Sequence, residues 1–246
     1  FSLILYLIMV RRKLVDAGHQ PFGEFIRISR RILQIGLPAA GANMLTPLAM
    51  AILTAVMASY GAHAVAAFGV GARIESIACL VVLALSMTLP PFVSQNLGGC
   101  QLDRVQSGYQ LCIRFVLKWQ FAVYLLLAVT APFIAHIFST EPAVERLICW
   151  FIWILPLGYG LQGIVILTNS SLNALHLPMR ALALSIVRLF VFYVPLAWLG
   201  GKLFGVLGVY GGALTANLFI ALIAYLWFQR SLNGLQQGDG VSVKAV

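Results

Sequence analysis

Six apolar runs follow one another through this chain, at about 32–60, 64–93, 111–137, 144–173, 181–199 and 206–228. Each is long enough to cross a hydrocarbon core about 30 Å thick, which takes roughly 20 helical residues. No water is present in that core to pair with free backbone amides, so segments of this kind fold as α-helices. The composition agrees: 61% of the residues are hydrophobic and 9% charged, where a soluble domain carries roughly half and a quarter. A water-soluble fold of 246 residues has no interior large enough for that apolar surface. The expected fold class is therefore an all-α integral membrane protein, a six-helix transmembrane bundle.

The polar punctuation sets the organisation. Phe1 to Val10 is apolar but too short to span and has no signal-peptide cleavage pattern, so 1–10 reads as the end of a truncated helix. Residues 11–31 form a basic linker containing Arg11, Arg12, Lys13, His19, Arg27, Arg30 and Arg31. Its second part, Phe22 to Leu33, mixes aromatic and aliphatic residues with arginines, as in an interfacial helix on an anionic leaflet. The bundle occupies 32–229, with 230–246 as a polar tail. Within it, Pro90-Pro91 is expected to end the second span, Gln95 to Gln110 to form a polar loop, Pro156 to interrupt the fourth span and Gly200 to Gly205 to form a glycine-rich loop.

Charge gives the orientation. The net charge of +9 invites a nucleic-acid reading, but the basic residues sit at the ends of apolar runs and not on a continuous polar face. Nucleic acid is therefore not an expected partner. The linker, Arg104, Arg114, Lys118, Arg180, Arg188, Arg230 and Lys244 fall on one side of a six-pass topology, against Arg146 and Lys202 on the other. Retention of positive charge in cytoplasmic loops predicts a multi-pass protein of a bacterial inner membrane with a cytoplasmic C-terminus.

Few residues are equipped for chemistry. Cys79, Cys100, Cys112 and Cys149 lack metal-type spacing, and His63, His136 and His176 sit at span ends; no metal or other cofactor is expected. The chain has no phosphate-cradling Gly-Lys-Ser/Thr loop and no nucleophile, base and acid constellation, so an enzyme is not expected. Arg73 and Glu75 stand out as ionisable residues roughly 15 Å into the second span. Two residues apart on a helix, they point away from each other. Glu75 is a candidate proton or cation site; Arg73 is either its electrostatic tuner or part of an outer-leaflet junction that anchors the helix. Asn43 and Thr46 lie one turn apart before Pro47, where they line a pathway or bond a neighbouring helix. Tyr159, Gln162, Asn169 and Asn173 keep to one helical face, which suits a water-filled cavity. Arg188 is either a cytoplasmic-end anchor or, with Phe190, Phe192 and Tyr193, part of a lining.

Gly69-Val70-Gly71-Ala72-Arg73-Ile74-Glu75 and Gln95-Asn96-Leu97-Gly98-Gly99, with Gly36-Leu37-Pro38 before them, resemble the C-terminal lobe of the multidrug and toxic compound extrusion family. The motifs cover the first two full spans, and the rest matches as a hydropathy pattern. The resemblance implies helices seven to twelve of a twelve-helix, two-lobe transporter that exchanges lipophilic or cationic drugs for protons or sodium ions by alternating access, with the N-terminal lobe as partner. Members that carry a coupling carboxylate in helix seven place it near Leu45 and Thr46, and neither is acidic here. The alternatives are a lipid-linked oligosaccharide flippase of the same superfamily, which needs more cations in its lining, and a non-transporting half-protein remnant.

Overall fold

The computed structural model describes Tyr6 and residues 22–236. The truncated helix end apart from Tyr6, most of the basic linker and the last ten residues of the tail lie outside the described residues. The chain divides into two units, Phe1–Leu37 and Pro38–Val246. In the first, residues 22–37 are helical, and Arg27 Nη2 meets Glu24 Oε1 at 3.1 Å across one turn. Both side chains are exposed, so this pair contributes only a few tenths of a kcal/mol.

Every regular element among the described residues is helical. In chain order they are α1 (Phe22–Ala58), α2 (Ala62–Ala78), α3 (Leu80–Gly98), α4 (Leu102–Phe138), α5 (Pro142–Ile154), a 3₁₀ turn (Leu155–Gly158), α6 (Tyr159–Ala174), α7 (Pro178–Ile186), a π-helical segment (Val187–Tyr193) and α8 (Val194–Gln236). The stretches Leu80–Gly98, Leu102–Phe138, Pro142–Ala174 and Pro178–Leu235 are each long and apolar enough to cross a membrane. Pro178–Leu235 reverses at Gly205, where φ 64° and ψ −146° break the helix, and α2 continues into α3 across Cys79 alone. The shorter apolar stretch Asn43–Ala58 precedes them. The six expected apolar runs are thus largely helical.

Three expectations about the breaks need correction. The Pro90-Pro91 pair does not end its span: α3 runs through both prolines to Gly98. The supposed loop at Gln95 to Gln110 is reduced to a turn at 99–101, because Gln95, Asn96 and the first turns of α4 form helix as readily beyond the bilayer as within it. The Gly200 to Gly205 stretch is helical up to its last residue, and Gly205 alone makes the reversal. Pro156 does interrupt its span, as the 3₁₀ turn Leu155–Gly158.

Glycines set the tightest contacts. Gly200 faces the Gly208 backbone while Gly212 faces that of Leu196, so the two arms of α8 run antiparallel with their backbones nearly touching. Gly71 leaves room for the Phe151 ring where a Cβ would stand. Around these contacts, one apolar cluster includes Val93, Tyr109, Leu172, Leu184 and Phe228. A second includes Leu53, Phe68, Phe151 and Tyr210, and a third joins α2, α4 and α5 through Ala67, Ala131 and Ile148. The outer face of α4 is the reverse of a soluble surface: Val129 is 81% and Phe133 70% exposed, which places that face against lipid.

Candidate functional site

Within the second unit, α1, α2, α3, α6, α7 and the π segment enclose a cavity of about 370 Å³. Glu75 enters it from the last turn of α2, four residues before the chain breaks at Cys79. The Ala78 carbonyl next to that break accepts a hydrogen bond from Gln120 Nε2 at 2.9 Å, which ties the end of α2 to α4. Glu75 itself is half-buried, and its Oε1 accepts from Gln162 Nε2 at 2.9 Å. A carboxylate at membrane depth thus has one fixed donor, on the wall of the cavity.

The remaining walls follow from helical spacing. Gln162, Ile166, Asn169 and Asn173 step by four, three and four along α6, so one face of that helix lines the cavity. Asn169 Nδ2 donates to Ser185 Oγ at 3.1 Å, and Ser185 donates on to the Ala181 carbonyl at 3.0 Å. From α1, Asn43, Thr46 and Met50 present the same three-then-four spacing, and Leu45 lies beside them. The position at which some relatives of the resembled family place a carboxylate is therefore on the wall, occupied here by uncharged side chains.

The π-helical segment contributes Arg188, Leu189 and Tyr193. Its wider turn shifts the register of side chains relative to an α-helix, an arrangement that recurs at functional sites. The Arg188 guanidinium carbon lies 5.9 Å from the centroid of the Tyr193 ring and interacts electrostatically with Glu75. The cavity thus holds one carboxylate and one guanidinium in an otherwise uncharged lining.

Of the residues singled out from the sequence, Glu75, Asn43, Thr46, Gln162 and Asn169 meet in this cavity. Arg73 is exposed and is not among the lining residues. Tyr159 is buried beneath the wall, close enough to Glu75 to interact electrostatically with it but outside the lining. Ser86 and Ser185 join the site without having been anticipated, since a lone serine in an apolar run carries no signal of its own.

Residues 38–199 match the MatE family profile. The chain belongs to the MatE family. Its members are transporters and not enzymes, and the chain corresponds to the C-terminal lobe. A "FAD transporter" of Shewanella oneidensis is 37% identical over 229 residues, which is 93% of this chain and 51% of that protein. The "Multidrug export protein MepA" of Staphylococcus haemolyticus is 24% identical over 195 residues, 79% of this chain and 43% of MepA. The crystal structure of the Vibrio cholerae MATE transporter VcmN in its bent form superposes with a TM-score of 0.87 at 31% identity, covering 94% of this chain and 53% of VcmN. The chain therefore spans about half the length of these MatE relatives.

Proposed function

We infer that this MatE lobe forms half of the substrate path of a secondary exporter, in which a two-lobe protein exchanges a small organic molecule for protons or sodium ions. The observation that carries this reading is the Glu75 carboxylate, held by Gln162 on the wall of a cavity of about 370 Å³. A carboxylate at that depth binds a proton, a sodium ion or a cationic substrate, and each occupant changes the balance between inward-open and outward-open states by its differential affinity for the two. The apolar remainder of the wall, with Leu83, Ile166 and Leu189, suits lipophilic drugs by desolvation. The relatives named as multidrug export proteins support that substrate class.

A second substrate reading has its own support. The relative named a FAD transporter is the more similar of the two proteins named for a transported substrate, and the cavity contains Arg188, which a purely cationic substrate does not need. A lipid-linked oligosaccharide flippase is less well supported, because one guanidinium is a sparse lining for a pyrophosphate.

The test is ethidium efflux from cells expressing the full-length parent, with the proton and sodium gradients collapsed in turn. Efflux that stops with one gradient supports coupled export and names the ion. Absence of efflux from a protein correctly inserted in the membrane would overturn the drug-export reading.

A further inference from the structure

Among the described basic residues, Arg188 stands out because it lies on the cavity wall. Among the described residues it forms no ion pair and no hydrogen bond; its recorded contacts are the Tyr193 ring and the longer-range field of Glu75. Glu75 Oε1 is engaged by Gln162. A guanidinium keeps its charge at any physiological pH and presents five donors in a planar fork. Those donors face a cavity at membrane depth, where an unmatched charge is costly, and the partner that matches the fork is a phosphate or carboxylate.

Two amides stand behind this fork. Asn169 Oδ1 and Asn173 Oδ1 are buried, belong to cavity-lining residues and have no hydrogen-bond partner among the described residues. The Asn169 amide is oriented by its bond to Ser185, which leaves Oδ1 as an acceptor. The wall thus offers a cation beside the aromatic ring of Tyr193, with the two amide oxygens closed off behind it. A lipophilic cation has no use for the guanidinium.

We propose that Arg188 is the phosphate-binding residue of this cavity, and that the substrate it takes is an aromatic nucleotide of the flavin class. In this arrangement the phosphate lies on the guanidinium fork, beside the Tyr193 ring. The proposal rests on the reading that the cavity is on the substrate path, and on the flavin alternative within it.

The sign of two substitutions separates this role from a structural one. In the purified full-length protein, FAD and riboflavin binding are measured by flavin fluorescence quenching and ethidium binding by polarisation. Arg188→Gln is expected to weaken FAD binding about tenfold or more, the loss of a charge-assisted contact, while riboflavin, which lacks phosphate, changes little. Arg188→Lys keeps the charge but not the planar fork, and should recover only part of the FAD affinity. Glu75→Gln should tighten FAD by removing a neighbouring negative charge and weaken ethidium. Equal losses for FAD and riboflavin, or an unchanged FAD affinity in Arg188→Gln, would overturn the proposal. Should Arg188→Gln fail to insert, the wild-type ratio decides: FAD must bind about tenfold or more tightly than riboflavin. Ethidium binding without FAD binding sinks this inference alone; binding of neither ligand sinks the exporter reading with it.

Discussion

At Glu75 the side chain lines the cavity, and Gln162 holds one of its oxygens at 2.9 Å. Glu75→Gln keeps the volume and removes the charge, so ion-coupled ethidium efflux by the full-length parent is expected to fall by about tenfold or more while membrane insertion is unchanged. Retained efflux with its ion dependence intact would assign the carboxylate a structural role. Gln162→Leu is expected to give a smaller loss, because it leaves the charge and removes one donor. A different residue-scale effect operates at Tyr109, whose hydroxyl meets Thr168 Oγ1 at 2.6 Å inside a cluster where its ring lies 3.8 Å from that of Phe228. Tyr109→Phe keeps the ring contact and is expected to cost about 1 kcal/mol, whereas Tyr109→Ala also opens a cavity and costs about 3–5 kcal/mol. Thermal unfolding in detergent ranks the two.

At the scale of elements, glycine positions carry the architecture, and two of them give opposite predictions. Gly205 sits at φ 64°, ψ −146°, a conformation that costs a residue with a Cβ about 1–3 kcal/mol. Gly205→Ala should therefore lower the unfolding temperature of the full-length protein. Gly211 is helical, and nothing lies within 4 Å of where its Cβ would be. Gly211→Ala should raise stability by about 0.4–1 kcal/mol by restricting the unfolded chain. If both substitutions shift the unfolding temperature in the same direction, the placement of the α8 reversal at Gly205 is wrong. The same elements mark what was legible in the sequence. The passes were, because hydrophobic length is a property of each run by itself. Pro156 was readable too, since a buried proline must disturb the hydrogen-bond ladder. The π segment at Val187–Tyr193 was not, because its apolar residues fit an ordinary helix equally well and its wide turn is imposed by packing against α8. That is why Arg188 had two readings from sequence, anchor or lining, and only the fold brings it within reach of Glu75. Asn43, Thr46, Gln162 and Asn169 were visible as polar residues on helical faces, but their convergence on one cavity depends on how α1 and α6 pack with α2, α3, α7 and the π segment.

For the lobe from Pro38 onward, side-chain contacts sort the turns into two ends. His63 Nδ1 lies 3.4 Å from Glu141 Oε2 and His136 Nδ1 3.3 Å from Glu145 Oε1, so the α1–α2 and α4–α5 turns share one end. At the other, Arg180 Nη1 donates to Ser231 Oγ at 2.8 Å and Gln106 Nε2 to Gln229 Oε1 at 3.2 Å, which gathers the starts of α4 and α7 with the close of α8. The second end holds Arg104, Arg180 and Arg230, while the first holds Glu141 and Glu145 beside Arg146. Moving Arg188 from the loop tally into the cavity leaves this asymmetry intact. Positive charge is retained on the cytoplasmic side, which predicts that the Arg180 end is cytoplasmic. Cys100 is exposed in the turn at that end and Ser139 lies in the α4–α5 turn at the opposite one. With the other native cysteines of the full-length parent replaced by serine, a membrane-impermeant maleimide should label Cys100 only after the cells are permeabilised. In a variant that also lacks Cys100, Ser139→Cys should be labelled on intact cells. The reverse pattern would mean that the lobe is inserted the other way up, so that the Arg104 and Arg180 end faces outward and the cavity's two entrances exchange sides.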